Sequence, residues 1–402
     1  MATINTKWFT SAMAGAPSIV GNIGGGMIAV LDACLKDGFN LLTLDSLVVA
    51  ANVATGTKAS HGYIVNQVVL ISGATPAGLN GEWRVTSVTS STFTFATSGI
   101  SDQTATGTIT AKASPCGWEK QFSGTNLAVY RSGNVLSSRQ CVRVDDTVAQ
   151  YSTVIGAESF TDVATPVNSF ATHYFKRSNA TDATTRPWLI VADDKGVYIG
   201  VQWTNAGIYD FYHFGDFNSV VAGDAANFRL QGLTSSGPGT IGQYSSVCDS
   251  GTENALYPGS CSRSYAQIFG ATTLCQGSMA AISGVNSTSN VAWSLSGNRG
   301  QGTTQNTPAY FTPAISDNGY HFSNVVLIET SVGSRLLRGT VRGLLHVLEY
   351  LPQSSGYSIL SGVENVSGGL VLISRSAGSI VYGSGSYLYP SSTVAFSLGD
   401  WT

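Results

Sequence analysis

Pro187-Trp-Leu-Ile-Val-Ala192, Asp193-Asp-Lys-Gly196, Val197-Tyr-Ile-Gly-Val-Gln-Trp203: two apolar runs of strand length flank a short stretch rich in Asp and Gly. Asp and Gly supply turn chemistry, and the β-branched and aromatic runs suit strands, so the segment predicts a β-hairpin. Ile208-Tyr-Asp-Phe-Tyr-His-Phe214 continues the same sheet. Upstream, beyond Ser114-Pro-Cys-Gly-Trp118, Leu127-Ala-Val-Tyr-Arg131 and Cys141-Val-Arg-Val-Asp145 are further strands. Downstream, strand character is sparse over residues 233–320, where Gly, Ser, Thr and Asn dominate and long surface loops are expected. It returns at Asn324-Val-Val-Leu-Ile-Glu329, Leu336-Leu-Arg-Gly-Thr-Val-Arg342, Gly369-Leu-Val-Leu-Ile-Ser374 and Thr393-Val-Ala-Phe-Ser397. No helical period of useful length follows residue 114, so the body is essentially all-β.

The stretch from Leu44 to Ala113 has a different texture. Val68-Val-Leu-Ile71 stops at Gly73 and Pro76, Asn80-Gly81 signals a turn, and Glu82-Trp-Arg-Val-Thr-Ser-Val88 follows. Thr92-Phe-Thr-Phe-Ala-Thr97 alternates with period two, and Gly107-Thr-Ile-Thr-Ala111 closes the stretch. Short Thr-rich strands with frequent turns predict a small β-sandwich or barrel around Trp83, Phe93 and Phe95. One helix precedes it. Met27, Val30, Leu31, Cys34 and Leu35 recur at helical spacing over 27–37, between Gly24-Gly-Gly26 and a C′ glycine, Gly38, with Lys36 in the last turn.

The predicted class is therefore mainly β, a multi-domain β-sandwich or barrel architecture with one short N-terminal helix. The expected units are an N-terminal segment, 1–44, whose helix packs with the main body; the small module, 45–113; a main β domain, 114–320; and a C-terminal β region, 321–402. A chain of 402 residues is long enough for two to four such units.

Charged residues make up 11% of the chain, against roughly 25% in ordinary soluble domains. So little charge suits a surface covered by neighbouring subunits, or a secreted β protein rich in Ser, Thr and Gly. Lys and Arg number 20 against 23 Asp and Glu, and they are scattered, so no phosphate-neutralising stripe and no nucleic-acid partner is expected. No apolar run approaches the ~18 residues of a membrane helix. The small-residue motif at Ser11-Ala-Met-Ala-Gly15 lacks the apolar segment that a secretory signal places before it, so no signal peptide is expected.

Six cysteines, Cys34, Cys116, Cys141, Cys248, Cys261 and Cys275, form no C-x-x-C pair. They read as buried thiols, with one disulfide among Cys248, Cys261 and Cys275 as the alternative. The histidines show no zinc spacing. His213 and Asp216, in His-Phe-Gly-Asp, are the nearest approach to a catalytic constellation, and a surface turn closing a hairpin accounts for them. Asp145-Asp146 and Asp193-Asp194 lack the regular carboxylate spacing of a calcium loop and read as turn residues. Tyr382-Gly-Ser-Gly-Ser386 lacks nucleophile-elbow spacing, and the triple glycine at 24–26 lacks the Lys-Ser/Thr of a phosphate loop. Trp188, Tyr198, Trp203, Tyr209 and Tyr212 could stack on sugars, but at strand spacing they read as core. No catalytic, cofactor or metal residue is predicted, and no enzyme.

Val30-Leu-Asp-Ala-Cys-Leu-Lys-Asp-Gly-Phe39 resembles a stretch near the start of a family of tailed-phage virion structural proteins of minor tail or baseplate type. Gly117-Trp-Glu-Lys-Gln-Phe-Ser-Gly-Thr-Asn126, Ala128-Val-Tyr-Arg131 and Val142-Arg-Val-Asp-Asp146 resemble the stretch that follows it there. Glu158-Ser-Phe-Thr-Asp-Val163, Arg186-Pro-Trp-Leu-Ile-Val-Ala-Asp193 and Phe214-Gly-Asp-Phe217 continue the likeness, which covers most of 22–232. In that family the first two stretches lie close together, which makes 45–113 an insertion; Leu44 and Ala113 should then approach each other. The resemblance implies a tail-tip or baseplate subunit of the virion, assembled in the host cytoplasm. Its partners would be other virion subunits and copies of itself in a three- or six-fold ring. The alternative is a receptor- or glycan-binding protein of the virion surface, a fibre-like adhesin or capsid decoration that meets the host surface. The likeness carries no functional residue across.

Overall fold

The computed structural model describes residues 4–203, 209–233, 259–263, 277–282, 322–329, 336–347, 356–364, 366–376, 380–382, 385–387 and 392–401. The fold is mainly β, with several sheets and one short helix. The hairpin at 187–203 forms as expected. Trp188–Ala192 pairs with Gly196–Val201 in the register Ala192 to Val197, and Asp210–Asp216 follows as the next strand. These strands belong to a thirteen-stranded sheet that begins with Lys7–Thr10. It continues through Phe228–Gln231, Gly259–Cys261, Gly277–Ile282, Phe322–Glu329 and Leu336–Val347 to Ser392–Ser397, Leu370–Ser376 and Tyr357–Ser361. Strands from both sides of residue 320 therefore share one sheet. Apart from the two short strands Gly259–Cys261 and Gly277–Ile282, and Arg263 with its neighbour, the loops expected over 234–320 lie outside the described residues. Tyr382 and Gly385 pair in a two-stranded hairpin.

A five-stranded meander, Trp118–Gly124, Leu127–Ser132, Cys141–Asp145, Tyr151–Phe160 and Pro166–Lys176, packs with the large sheet and the helix around one hydrophobic core. A third sheet, of eight strands, draws all its strands from Phe39–Ala113 and has its own core of Leu47, Val69, Ile71, Val85, Phe93, Phe95 and neighbours. Phe93 and Phe95 are fully buried, and half-buried Trp83 stacks on Phe95 with ring centroids 4.9 Å apart.

Two expectations about this stretch need correction. The pairing of its ends begins at Phe39, which faces Ala113, while Thr43 faces Thr110 and Leu44 N–H donates to Ile109 O. Gly38 turns the chain at φ 72°, and a Cβ there would lie 2.4 Å from Ala113 O, so the first strand can start immediately after the helix. The helix itself is not one regular α-helix over 27–37. Gly26–Leu31 is α-helical and Asp32–Asp37 is π-helical. Within that wider turn the Cys34 carbonyl accepts a hydrogen bond from Cys116 N–H across the core, at 3.0 Å.

The eight-stranded sheet is fastened to the body by polar contacts at its base. The Glu82 carboxylate lies 3.0 Å from Lys7 Nζ and accepts from Ser114 Oγ (2.6 Å) and Ile4 N–H (2.7 Å). Arg84 donates to the carbonyls of Asn66, Thr6 and Leu398. Lys7 is buried, so its ammonium depends on Glu82 for compensation.

Glycines beside a phenylalanine of the neighbouring strand recur in all three large sheets: Gly56 pairs with Phe93 and Gly200 with Phe211, while Gly156 pairs with Ala171, next to Phe170. A Cβ on Gly56 would lie 2.6 Å from Phe93, one on Gly156 2.5 Å from Phe170, and one on Gly200 2.6 Å from Phe211. Each phenylalanine ring lies across the strand pair onto the missing side chain, which turns a weak strand residue into a packing seat.

Candidate functional site

The polar residues with chemical potential gather where the turn Asp193–Gly196, the end of Asp210–Asp216, the loop 133–140 and the strand Leu336–Val347 meet. Asp193 is buried. Its Oδ1 accepts from the N–H groups of Lys195 (2.8 Å) and Gly196 (2.6 Å), and its Oδ2 pairs with Arg342 at 2.5 Å. Burial raises its pKa against the opposing pull of Arg342. Tyr198 OH donates to Arg342 O at 2.6 Å, and Trp118 Nε1–H donates to Asp193 O at 2.9 Å. Asp216 accepts from Ser138 through both oxygens, from N–H at 2.9 Å and Oγ–H at 2.6 Å. Burial pushes its carboxyl up to about 6. Asp194 accepts from Asn134 Nδ2 at 2.7 Å.

His213 and Asp216 do not form a surface turn. Both lie inside the strand Asp210–Asp216, buried between Gly196–Val201 and Phe228–Gln231. His213 packs on Tyr198 with ring centroids 4.6 Å apart, and neither ring nitrogen has a hydrogen-bond partner among the described residues. Burial, together with Arg229 and Arg342, holds its pKa well below the ordinary value. His173, on the neighbouring meander, is depressed to about 4 mainly by burial, and its Nε2 lies 3.4 Å from Ser260 Oγ.

Asp146 also departs from a simple turn role. It is completely buried and pairs with the equally buried Arg177 at 3.0 Å. Its Oδ2 accepts from Met27 N–H (2.7 Å) and more distantly from Ile28 N–H (3.4 Å), while Ser152 Oγ–H donates to Oδ1 at 2.6 Å. The helix start has no side-chain cap of its own, and this carboxylate, 119 positions away, supplies one. Two of the three glycines, Gly24 and Gly25, serve the same contact, with Gly25 N–H donating to Asp146 O at 2.9 Å. Gly25 takes φ 85°, and a Cβ on Gly24 would lie 2.8 Å from the carbonyls of Asp146 and Thr147.

Asp193-Asp194 remains a turn pair, as expected, although Asp193 is far more enclosed than a surface turn. Trp188, Tyr198, Tyr209 and Tyr212 are buried in the main core. Trp203 is half-buried beneath Lys176, whose Nζ lies 3.4 Å from the ring centroid. Cys34, Cys116 and Cys141 are buried thiols; Cys261 is buried, and Cys248 and Cys275 lie outside the described residues. Among the described residues no cluster of three or more His, Cys, Asp or Glu could hold a metal ion. Ser138, Arg177, Arg229 and Arg342, which complete these clusters, have no signature in the local sequence: a buried arginine is recognised only by the acid or carbonyl it meets.

The arrangement suits mechanical bracing more than proton transfer. Asp216 has a pKa in the range of a general acid, but Ser138 occupies both its oxygens. The product of the bracing is the loop 133–140. Asn134 accepts from Leu136 N–H at 2.8 Å, Ser137 Oγ–H donates to Asn134 O at 2.7 Å, and Arg139 sits at φ 54°. The loop is anchored through Asn134 to Asp194 and through Ser138 to Asp216. At its tip Val135 and Leu136 are 79% and 82% exposed.

No protein-family model matches the sequence, and no curated protein matches it. Among solved structures, a chain described as "Phage phi92 endosialidase" is similar at 12% identity over 90% of this chain, with a TM-score of 0.17. This chain spans about half, 52%, of that chain's length. A TM-score this low does not extend to a shared fold.

Proposed function

We propose that the chain is a non-enzymatic structural subunit of a tailed-phage virion, placed in a three- or six-fold ring at the tail tip or baseplate. The observation that carries this reading is the braced loop with Val135 and Leu136 held out into solvent. Two adjacent aliphatic side chains at about 80% exposure gain roughly 1.5–3 kcal/mol each on full burial. A loop already fixed by Asp194 and Asp216 loses little conformational entropy when it docks. Val220 and Leu337 are two further exposed aliphatic side chains. With charge at 11% of residues, little repulsion opposes subunit contact.

Replacing both Val135 and Leu136 by serine should leave the thermal unfolding of the isolated chain almost unchanged, within about 0.5 kcal/mol, because neither side chain is packed. It should reduce incorporation into particles or rings, read by light scattering and by the protein content of purified virions. Incorporation equal to that of the parent would remove the loop as a subunit contact. Imaging of intact particles tests placement: a copy number matching the tail symmetry supports it, and density on the head surface overturns it.

A second reading, a receptor- or glycan-binding role, is favoured by one face of the eight-stranded sheet. Ser46 faces Thr57, which faces Thr92; Val48 faces Thr55, which faces Thr94, which faces Ser87. Directly paired residues share a face, so this is an uncharged hydroxyl-rich surface, tied together in part by the 2.7 Å bond between Ser87 and Thr94. The same images decide between the readings, because a receptor-binding role requires this face to point away from the particle.

A further inference from the structure

We propose that Cys34 and Cys116 are a redox pair that closes to a disulfide across the base of the Phe39–Ala113 sheet. Cys116 N–H donates to Cys34 O at 3.0 Å. The covalent lengths on either side of that one bond cap the separation of the two Cα atoms at about 7 Å, next to the ~4.4–6.8 Å range that disulfides span. Cys116 Sγ faces Ala192 O at 3.7 Å and turns toward Cys34 to close the bond. Both side chains are buried in the same hydrophobic cluster. They also bracket the sheet in sequence: the chain leaves the helix at Gly38 and returns at Ala113, with Phe39 facing Ala113 and Lys112 Nζ donating to Asp37 O at 2.6 Å. A Cys34–Cys116 bond would thus enclose the whole eight-stranded sheet in one covalent loop.

The reaction is exchange with a low-molecular-weight disulfide such as oxidised glutathione. One protein thiolate attacks a sulfur of the reagent, forming a mixed disulfide and releasing the first small thiolate. The second protein thiolate then attacks the protein-bound sulfur, forming the internal disulfide and releasing the second. Two protons leave the protein, which is oxidised by two electrons, and the reagent is reduced to two thiols. Burial sets the rate. It pushes the Cys116 thiol up to about 12 and raises Cys34 well above its ordinary value, with Cys116 adding to the effect. In the closed fold both sulfurs stay protonated and out of reach, so exchange proceeds when the base of the sheet opens.

The test is to incubate the full chain with oxidised glutathione in mildly alkaline buffer, with and without sub-denaturing urea, then alkylate it and map the tryptic peptides. The expected product joins the peptide Trp8–Lys36 to the peptide Ala113–Lys120, with the loss of two hydrogens. It should form faster in urea, disappear on reduction, and be missing from the Cys34→Ala variant; if that variant does not fold, Cys116→Ala serves as the same control. The oxidised chain should also unfold at higher urea than the reduced chain, because the cross-link restricts the unfolded state. Recovery of Cys34 and Cys116 as separately alkylated or singly glutathionylated residues, or of Cys116 linked to a different cysteine, overturns the proposal.

Discussion

Replacing Asp146 by alanine should cost about 3–5 kcal/mol, the loss expected when one partner of a buried ion pair is removed. Three consequences combine at one atom group. The Arg177 guanidinium, fully buried, loses its counter-charge. The N–H groups of Met27 and Ile28 lose their acceptor at the helix start, and the Ser152 hydroxyl loses its own. The urea midpoint of the transition that reports on the main core should fall accordingly. Asp146→Asn, which keeps an acceptor oxygen but no charge, should fall between parent and alanine variant. The double variant Asp146→Leu with Arg177→Met should recover much of the loss, because the expense of the single change lies largely in the stranded arginine. A single variant within about 1 kcal/mol of the parent, or a double variant no better than the single, would show that this pair does not brace the helix.

The second large effect concerns His213 and depends on pH. Neither of its ring nitrogens has a hydrogen-bond partner among the described residues, so burial costs it about 1–3 kcal/mol that no bond returns. His213→Phe keeps a flat ring against Tyr198 and should stabilise the protein by an amount in that range at neutral pH. The sign of the pH dependence follows from proton uptake. The folded pKa of His213 is depressed below the ordinary 6.5, so as pH falls below about 6.5 the unfolded chain binds a proton that the folded chain refuses. Parent stability then falls by up to about 1.4 kcal/mol per pH unit for this group. His173 acts in the same direction down to about 4. Asp216 acts oppositely: its folded carboxyl, pushed up to about 6, takes a proton before the unfolded one does, and offsets part of the loss below that pH. Asp146 and Asp193, both raised, work in the same sense as Asp216. Comparing variant with parent cancels these shared contributions. The stability gap should widen as pH falls from 6.5, measured by denaturant titration at several pH values. A gap that stays constant with pH would show that His213 is not held neutral in the folded chain.

The two misread acids show how far local pattern reaches. His-Phe-Gly-Asp at 213–216 has the polarity of an exposed turn, and Gly215 does take φ 133°. Yet a Cβ there would meet Lys195 O at 2.4 Å, so the glycine serves close approach to the preceding turn within a continuing strand. Its polar neighbours are buried because strands on both sides, from 196–201 and 228–231, cover them. Asp146 was indistinguishable from a turn aspartate for a similar reason. Its helix and its arginine lie far away in sequence, and nothing near residue 146 announces them.

By itself the sequence determined the mainly β class, the hairpin at Asp193–Gly196, the helix beginning near Met27, and the textural break around Leu44. Alternation, turn residues and helical spacing are local properties, and short-range sterics and burial suffice to act on them. Only the tertiary structure decided that the eight-stranded sheet starts at Phe39, that the helix widens into a π-turn at Asp32, and that strands on both sides of residue 320 share a sheet. It alone brought Asp146 under Arg177, Cys34 against Cys116, and Ser138 onto Asp216. Each is a contact between distant positions, and its energy comes from removing a charge, a thiol or a backbone group from water beside a partner that only folding can supply.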